Sequence, residues 1–241
     1  MPKKIPSCIE CTSRSDSCFS ILDDDDIKLL DQKKESTVYP KGQSIFFSGR
    51  SPTGVFCLME GKVKMAKMGT DGKDQIVRFV LPGKLLGIRA FLSECAYTAT
   101  ATAIEESVIC YLPGDLFKYL QSKYPTITSC MITTLSQLLC EAEDKMTSIA
   151  QKNVRERLAE TLLELNQVFS YGESSSENAK PISLTREDLS NIIGTATETV
   201  IRLLSDFKDI GLIDIQGRKI ILKDTAALKN IARGFNGPKP V

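Results

Sequence analysis

The chain has 241 residues, 42% of them hydrophobic and 25% charged, a length that implies two domains with a connector and a composition that favours folded structure over disorder. Its 31 lysines and arginines almost balance 30 aspartates and glutamates, so a net charge of +1 sets up no global field toward nucleic acid or anionic lipid. There is no histidine, which excludes mixed Cys/His zinc fingers, facial triads and His-ligated haem and leaves only thiolate or oxygen sites.

No apolar run approaches the roughly 20 residues that span a bilayer, and Met1-Pro2-Lys3-Lys4 is not followed by an apolar signal stretch, so the expectation is a cytoplasmic protein with no membrane partner. Residues 1–20 hold Cys8, Cys11 and Cys18 among serines and show no hydrophobic periodicity. They read as an arm that orders only with a ligand or partner. In a reducing compartment, paired cysteines near a terminus are metal or redox ligands more often than structural bridges. Taken alone, the triplet is compatible with zinc, disulfides or a reactive thiol. The run Asp23 to Asp26 reads as acid at a helix N-terminus, since it lacks the glycine of a calcium loop.

From about residue 36 to 113 the pattern changes to short β-branched and aromatic segments: Thr37 to Tyr39, Ser44 to Phe47, Val55 to Met59, Val63 to Met65, Gln75 to Val80, Thr98 to Ala103 and Val108 to Leu112. Turns fall at Lys41-Gly42, Glu60-Gly61, Asp71-Gly72, Pro82-Gly83 and Pro113-Gly114. Many short strands with regular turns imply a jelly-roll β-barrel over residues 21–125. Cys57, Cys95, Cys130 and Cys140 read as buried apolar residues.

After Pro125, Ile127, Met131, Leu135, Leu138, Ala142, Met146 and Ile149 recur in steps of three and four, on one stripe of a long helix. The stripe is long enough to be a seam against a second copy of the chain. Glu141, Glu143 and Asp144 interrupt it, so Asp144 is expected at the interface, where like charges would meet. A second period, Val154, Leu158, Thr161, Leu162 and Leu165, carries the helix on, giving a dimerisation segment with a hinge over 126–166. Residues 167–241 hold a polar loop, 172–181, and then a small domain.

In that domain Thr185 and Asp188 have the form of a capping box, with Leu189, Ile192 and Ile193 on the buried face of a short helix. Gly194 permits a turn before a second amphipathic helix, Thr197 to Asp209. Two short helices joined at a glycine describe a helix-turn-helix, and the second helix is the one that enters a major groove. Thr197, Glu198, Ile201 and Arg202 lie opposite its apolar face. Arg202 can pair with guanine and Glu198 with cytosine, each worth about 1–3 kcal/mol of discrimination. Arg218 and Lys219 make the basic tip of a following hairpin, a wing. The expected partner is double-stranded DNA.

The layout as a whole resembles the Crp/Fnr family of bacterial transcription factors. The residues that carry the resemblance are Pro82 to Gly87, Asn153 to Ala159, Leu184 to Leu189 and Glu198 to Leu204. It implies an α+β chain with a cyclic-nucleotide-binding-like barrel, a dimerisation helix and a winged helix-turn-helix, acting as a homodimer on palindromic DNA and recruiting RNA polymerase. The family's cyclic-nucleotide branch has a glutamate where this chain has Ile88 and an Arg-Ser pair where it has Tyr97-Thr98, so cyclic AMP is disfavoured. The haem branch needs a histidine. The oxygen-sensing branch has three N-terminal cysteines and one in a late strand. By that resemblance the ligands of a [4Fe-4S] cluster are Cys8, Cys11, Cys18 and Cys110, with residues 1–20 as the cluster-binding arm, Cys95 as a substitute ligand, and zinc or no metal as alternatives. The gap from Cys11 to Cys18 is one residue longer than in that branch, and Ile201 stands where the branches have serine or glycine. A regulator without a cluster, answering to a small effector or to thiol oxidation, is the alternative function. An enzyme is not expected, because the chain has no phosphate-binding glycine loop and no Ser/His or Cys/His pair.

Overall fold

The computed structural model describes residues 5–69, 72–172 and 180–235. Asp71 of one expected turn and residues 173–179 of the expected polar loop lie outside the described residues. The chain divides into two units, Met1–Cys140 and Glu141–Val241.

The first unit starts with a 3-10 turn, Thr12–Asp16, and helix α1, Asp24–Lys33. The acidic run is a cap, as expected: the Asp23 carboxylate accepts the Asp26 N–H at 2.9 Å. Asp26 is buried, accepts the Tyr124 hydroxyl at 2.6 Å and pairs with Lys123 Nζ at 2.6 Å. Burial disfavours its charge, but those two partners outweigh burial and hold the carboxyl below its usual range. Strands β1 (Glu35–Tyr39), β2 (Ser44–Phe46), β3 (Gly54–Glu60), β4 (Val63–Met68), β5 (Asp74–Val80) and β6 (Leu85–Leu86) lead to the short helix α2 (Ile88–Leu92). Then come β7 (Thr100–Ala103), β8 (Ser107–Pro113), α3 (Gly114–Lys123) and α4 (Pro125–Gln151).

The strands form two four-stranded sheets, β1-β8-β3-β6 and β2-β7-β4-β5. This is the double-sheet form of a jelly roll rather than a barrel closed by hydrogen bonds. Period-two alternation sorts the first sheet's side chains into two cores. Leu58 and Ile109 join Phe46, Val63, Met65 and Ala101 of the second sheet between the sheets. Val55, Met59, Val108, Cys110 and Leu112 point to the other face, where α1, α3 and the start of α4 cover them.

The N-terminal arm departs from expectation. It has no periodicity, yet its described part is packed: Phe19 is 3% exposed, sits edge-on to Phe117 at 6.5 Å, and shares the outer core with Cys8 and Leu22. Two aromatic and aliphatic anchors, each worth about 1.5–3 kcal/mol when fully buried, suffice without a periodic pattern.

The expected continuous helix is also two. Helix α4 ends at Gln151, and Asn153 starts α5 (Val154–Ser170) with a full capping box, its side chain accepting the Glu156 N–H at 3.0 Å. The second unit continues with β9 (Ile182–Ser183), α6 (Arg186–Ile193), α7 (Thr197–Asp209), β10 (Ile213–Gln216), β11 (Lys219–Leu222) and α8 (Thr225–Ala232). Its sheet runs β10-β11-β9. Leu158, Leu162, Val200, Leu204, Phe207 and Leu228 are fully or almost fully buried, and Arg155 lies over the Phe207 ring at 4.8 Å. Among the described residues no helix is long and apolar enough to cross a membrane.

Candidate functional site

The outer face of the first sheet carries the thiols. Cys110 of β8 is buried there, and the hydroxyl of Ser36 on β1 donates to its sulfur at 3.4 Å. The arm folds across this face, and Cys8, Cys11, Cys57 and Cys110 line one cavity together with Lys34. Phe19, Leu30, Met59 and Leu112 supply apolar wall, so the cavity is poorly hydrated and disfavours charge.

Its charge balance is set from α1. The Asp31 carboxylate accepts the Cys8 N–H at 2.7 Å and pairs with Lys34 Nζ at 2.9 Å, the Lys34 side chain being only 7% exposed. Burial pushes the Cys8 thiol up to about 11, while the Lys34 ammonium pulls the other way. Burial also raises Cys110, against the Ser36 hydrogen bond, and raises Cys57, where the neighbouring sulfurs of Cys110, Cys11 and Cys8 add to the effect. Burial works against the Lys34 charge too, yet its ion pair with the Asp31 carboxylate keeps it protonated. Cys8, Cys57 and Cys110 are therefore neutral at pH 7 until a cation draws off their protons.

Of the four expected ligands, Cys8, Cys11 and Cys110 are brought together and Cys18 is not. Against the expectation of reduced thiols, Cys18 is bonded to Cys130 on α4 with Cα atoms 5.9 Å apart. Ser17 and Phe19 line the cavity on either side of it, so Cys18 itself is turned away. Cys95, the substitute ligand, is exposed in its loop and donates to the Ser93 carbonyl at 3.2 Å. It and the exposed Cys140 are not core residues as expected. Among the described residues no three Cys, Asp or Glu side chains converge tightly enough to hold a single metal ion. A cubane cluster spreads its thiolates around a larger body, and four thiols without an imidazole are the donor set that soft iron-sulfur or zinc sites use.

The reading head matches its sequence pattern closely. Thr185 is exposed and caps α6, accepting the Asp188 N–H at 2.9 Å. Gly194 ends that helix at φ 72°, a left-handed geometry that suits glycine. Thr197 is half-buried and its hydroxyl meets that of Ser190 at 3.0 Å, so it ties α7 to α6 across the turn. Glu198, Ile201 and Arg202 are exposed on α7, Ile201 by 52%, and Arg218 and Lys219 are exposed on the β10–β11 wing.

The stripe on α4 is only partly as expected. Ile127 and Met131 are taken up in the chain's own core, while Ile132 and Leu139, which the stripe omitted, are 61% and 60% exposed. With half-buried Leu135 and exposed Ala142, Met146 and Ile149 they make a strict three-four repeat, 132, 135, 139, 142, 146, 149. Leu138 lies one position off that register and is half-buried. Asp144 is exposed and, at about 100° per residue, lies on the side of the helix opposite that repeat. The sequence pattern does not single out Cys57 and Lys34 of the cavity or Ile132 and Leu139 of the exposed repeat. Only the last two had a signal in the sequence, the tighter heptad spacing.

A double-sheet domain followed in the chain by a winged helix-turn-helix defines a class of DNA-binding regulators. Residues 36–124 match the cyclic nucleotide-binding domain and residues 156–231 the Crp-like helix-turn-helix domain. The chain is 28% identical over 223 residues to an anaerobic regulatory protein of Haemophilus influenzae, covering 92% of this chain and 86% of that one. It is likewise 28% identical over 192 residues to the fumarate and nitrate reduction regulatory protein of Escherichia coli, covering 80% and 76%. The solved structure of FixK2 from Bradyrhizobium japonicum has the same fold, with a TM-score of 0.71 at 24% identity over 82% of this chain and 96% of that one. The chain belongs to the Crp/Fnr family of transcriptional regulators. It is a DNA-binding protein of that type and not an enzyme.

Proposed function

We propose that this is a cytoplasmic regulator that senses oxygen or redox state through an iron-sulfur cluster and binds a palindromic promoter site as a homodimer, where it engages RNA polymerase. The observation that carries the reading is the cavity in which four thiols from the arm, β3 and β8 come together beside the buried Lys34. When bound, such a cluster supplies a centre that dioxygen destroys, so it links oxygen to the folding of the arm.

The chain's own residues do the rest. Cys8 and Cys11 hold the arm to Cys110 through whatever they share, and Phe19 and Leu22 seal it against the outer core. That core includes Ile127 and Met131, so the packing of the arm reaches the start of α4, whose exposed repeat is the seam. Each head presents Glu198, Ile201 and Arg202 to base edges, and Arg218 and Lys219 to phosphate. Ile201 offers a methyl contact to thymine in place of a hydrogen bond.

A nucleotide effector is less well served. Tyr97 is buried between the sheets and stacks on Phe46 at 4.0 Å, and the hydroxyl of Thr98 accepts from Arg89. The Cys18–Cys130 bridge favours a second reading, in which thiol oxidation is itself the signal.

Iron and acid-labile sulfide analysis under argon, with DNA binding measured before and after air, tests the proposal. A brown protein with about four irons per chain that loses DNA affinity in air is the expected result. A colourless protein whose DNA binding follows thiol reductant alone overturns the cluster and leaves thiol oxidation. For the seam, sedimentation should show that Leu139→Glu yields monomer while Asp144→Ala leaves the dimer unchanged; the reverse pattern would place the seam elsewhere.

A further inference from the structure

We infer that Cys57 is the fourth thiolate of this site, in the place the arm's spacing assigns to Cys18. The inference rests on the reading that the cavity binds metal through thiolates.

The strand register carries it. Cys57 of β3 is the direct partner of Cys110 of β8, and residues directly opposed in an antiparallel pair put their side chains on the same face, Cβ atoms about 5 Å apart. Alternation along both strands turns that face to the arm: Met59 and Leu112 flank the pair and belong to the same outer core. Cys57 and Cys110 thus form a rigid two-thiol platform in the middle of a sheet, and Cys8 and Cys11 meet it from above. A cysteine kept for packing alone needs only apolar neighbours. Cys57 instead lines one cavity with three other thiols, those of Cys8, Cys11 and Cys110.

Cys18 has the opposite surroundings. It is joined to Cys130 across a separation of 112 residues, and a sulfur in a disulfide donates no thiolate. The bridge fixes the end of the arm to α4, which leaves Cys18 a structural role at the same site. In loading, each of the four thiols gives its proton to water and an electron pair to the metal; the Cys18–Cys130 bond is neither made nor broken.

The test uses the full chain purified under argon. Iron, sulfide and zinc per chain are measured for wild type, Cys57→Ala, Cys57→Ser and Cys18→Ala. Thiol alkylation by iodoacetamide is mapped by mass spectrometry on the wild type before and after chelation, which needs no variant to fold. The expected result is that both Cys57 variants lose bound metal about tenfold or more while Cys18→Ala keeps the wild-type content, and that Cys57 becomes alkylated faster once metal is stripped. If Cys18→Ala loses the metal and Cys57→Ala keeps it, or if chelation leaves Cys57 alkylation unchanged, Cys57 is not a ligand and the cluster reading stands apart from it. Zinc in place of iron, lost on substituting Cys57, would sink the iron-sulfur reading and uphold Cys57. A chain that takes up neither metal overturns both.

Discussion

The reading head and the thiol-lined face are built on different principles. In the head, each feature is set by residues a few positions apart: Thr185 with Asp188, Gly194 at the turn, Ser190 with Thr197. On the thiol face, Cys8 comes from the arm, Cys57 from β3, Cys110 from β8 and the balancing Lys34 from the end of α1. The first is a local motif that a sequence states outright. The second exists only once two strands have found their register and the arm has folded over them. A local motif fails when one of its own residues is changed. A site assembled from afar fails when any of its supports moves.

If the two are independent, the largest single effect should stay in one of them. Phe207 is fully buried in the second unit, and Phe207→Ala should cost about 3–5 kcal/mol there. DNA binding should vanish and one calorimetric transition should shift sharply, while metal per chain stays at the wild-type level. An equal loss of metal would break the comparison.

The next effect belongs to the thiol face. Lys34→Met removes the buried ammonium that opposes charge build-up among the thiols and leaves Asp31 without its ion pair, though still holding the Cys8 N–H. Residues that support ligands in this way typically change metal affinity about 10–100-fold. Competition with a chelator should show that loss, with DNA binding by the isolated reducing-agent-treated apo form unaltered. Lys34→Arg should recover part of it. A Lys34→Met chain with wild-type metal affinity would show that the ammonium only packs.

In the head, Arg202→Ala should lose about 1–3 kcal/mol of specific affinity and relax the preference at one base pair. Arg218→Ala should weaken binding to all sequences alike and lower the salt dependence by about one counterion. Equal losses on specific and random DNA for both variants would mean that Arg202 touches phosphate and not a base.

Legibility followed the same divide. The helix-turn-helix, its cap, its glycine and its exposed face were readable because capping and amphipathic spacing are short-range. The double sheet was readable in its strands. Three of the expected thiols do meet, but nothing near Cys57 in the sequence says that β3 pairs with β8 so that Cys57 faces Cys110. Spacing along an arm does not say which way a residue points once Phe19 beside it is buried, so the Cys18–Cys130 bridge is not legible in the sequence. On α4, Ile127 and Met131 are spent on the core, which hides from the sequence the start of the exposed repeat at Ile132.

The smallest effect tests a local device, the cap between the two long helices. Helix α4 stops and α5 starts at Asn153, whose side chain accepts the Glu156 N–H at 3.0 Å while Glu156 accepts the Asn153 N–H at 3.1 Å. Replacing such a cap by alanine costs about 1 kcal/mol, a shift of about 4–8 °C in a unit of this size. The break has other supports: Arg157 donates to the Lys152 carbonyl at 2.8 Å and to the Ile193 carbonyl at 3.2 Å. Asn153→Ala should therefore fall at the low end of that range, and Asn153→Asp should be neutral, since aspartate caps as well. If alanine is also neutral by calorimetry, Arg157 sets the break, and Arg157→Ala then becomes the substitution that lets α4 and α5 run together, a change that circular dichroism would register as added helix.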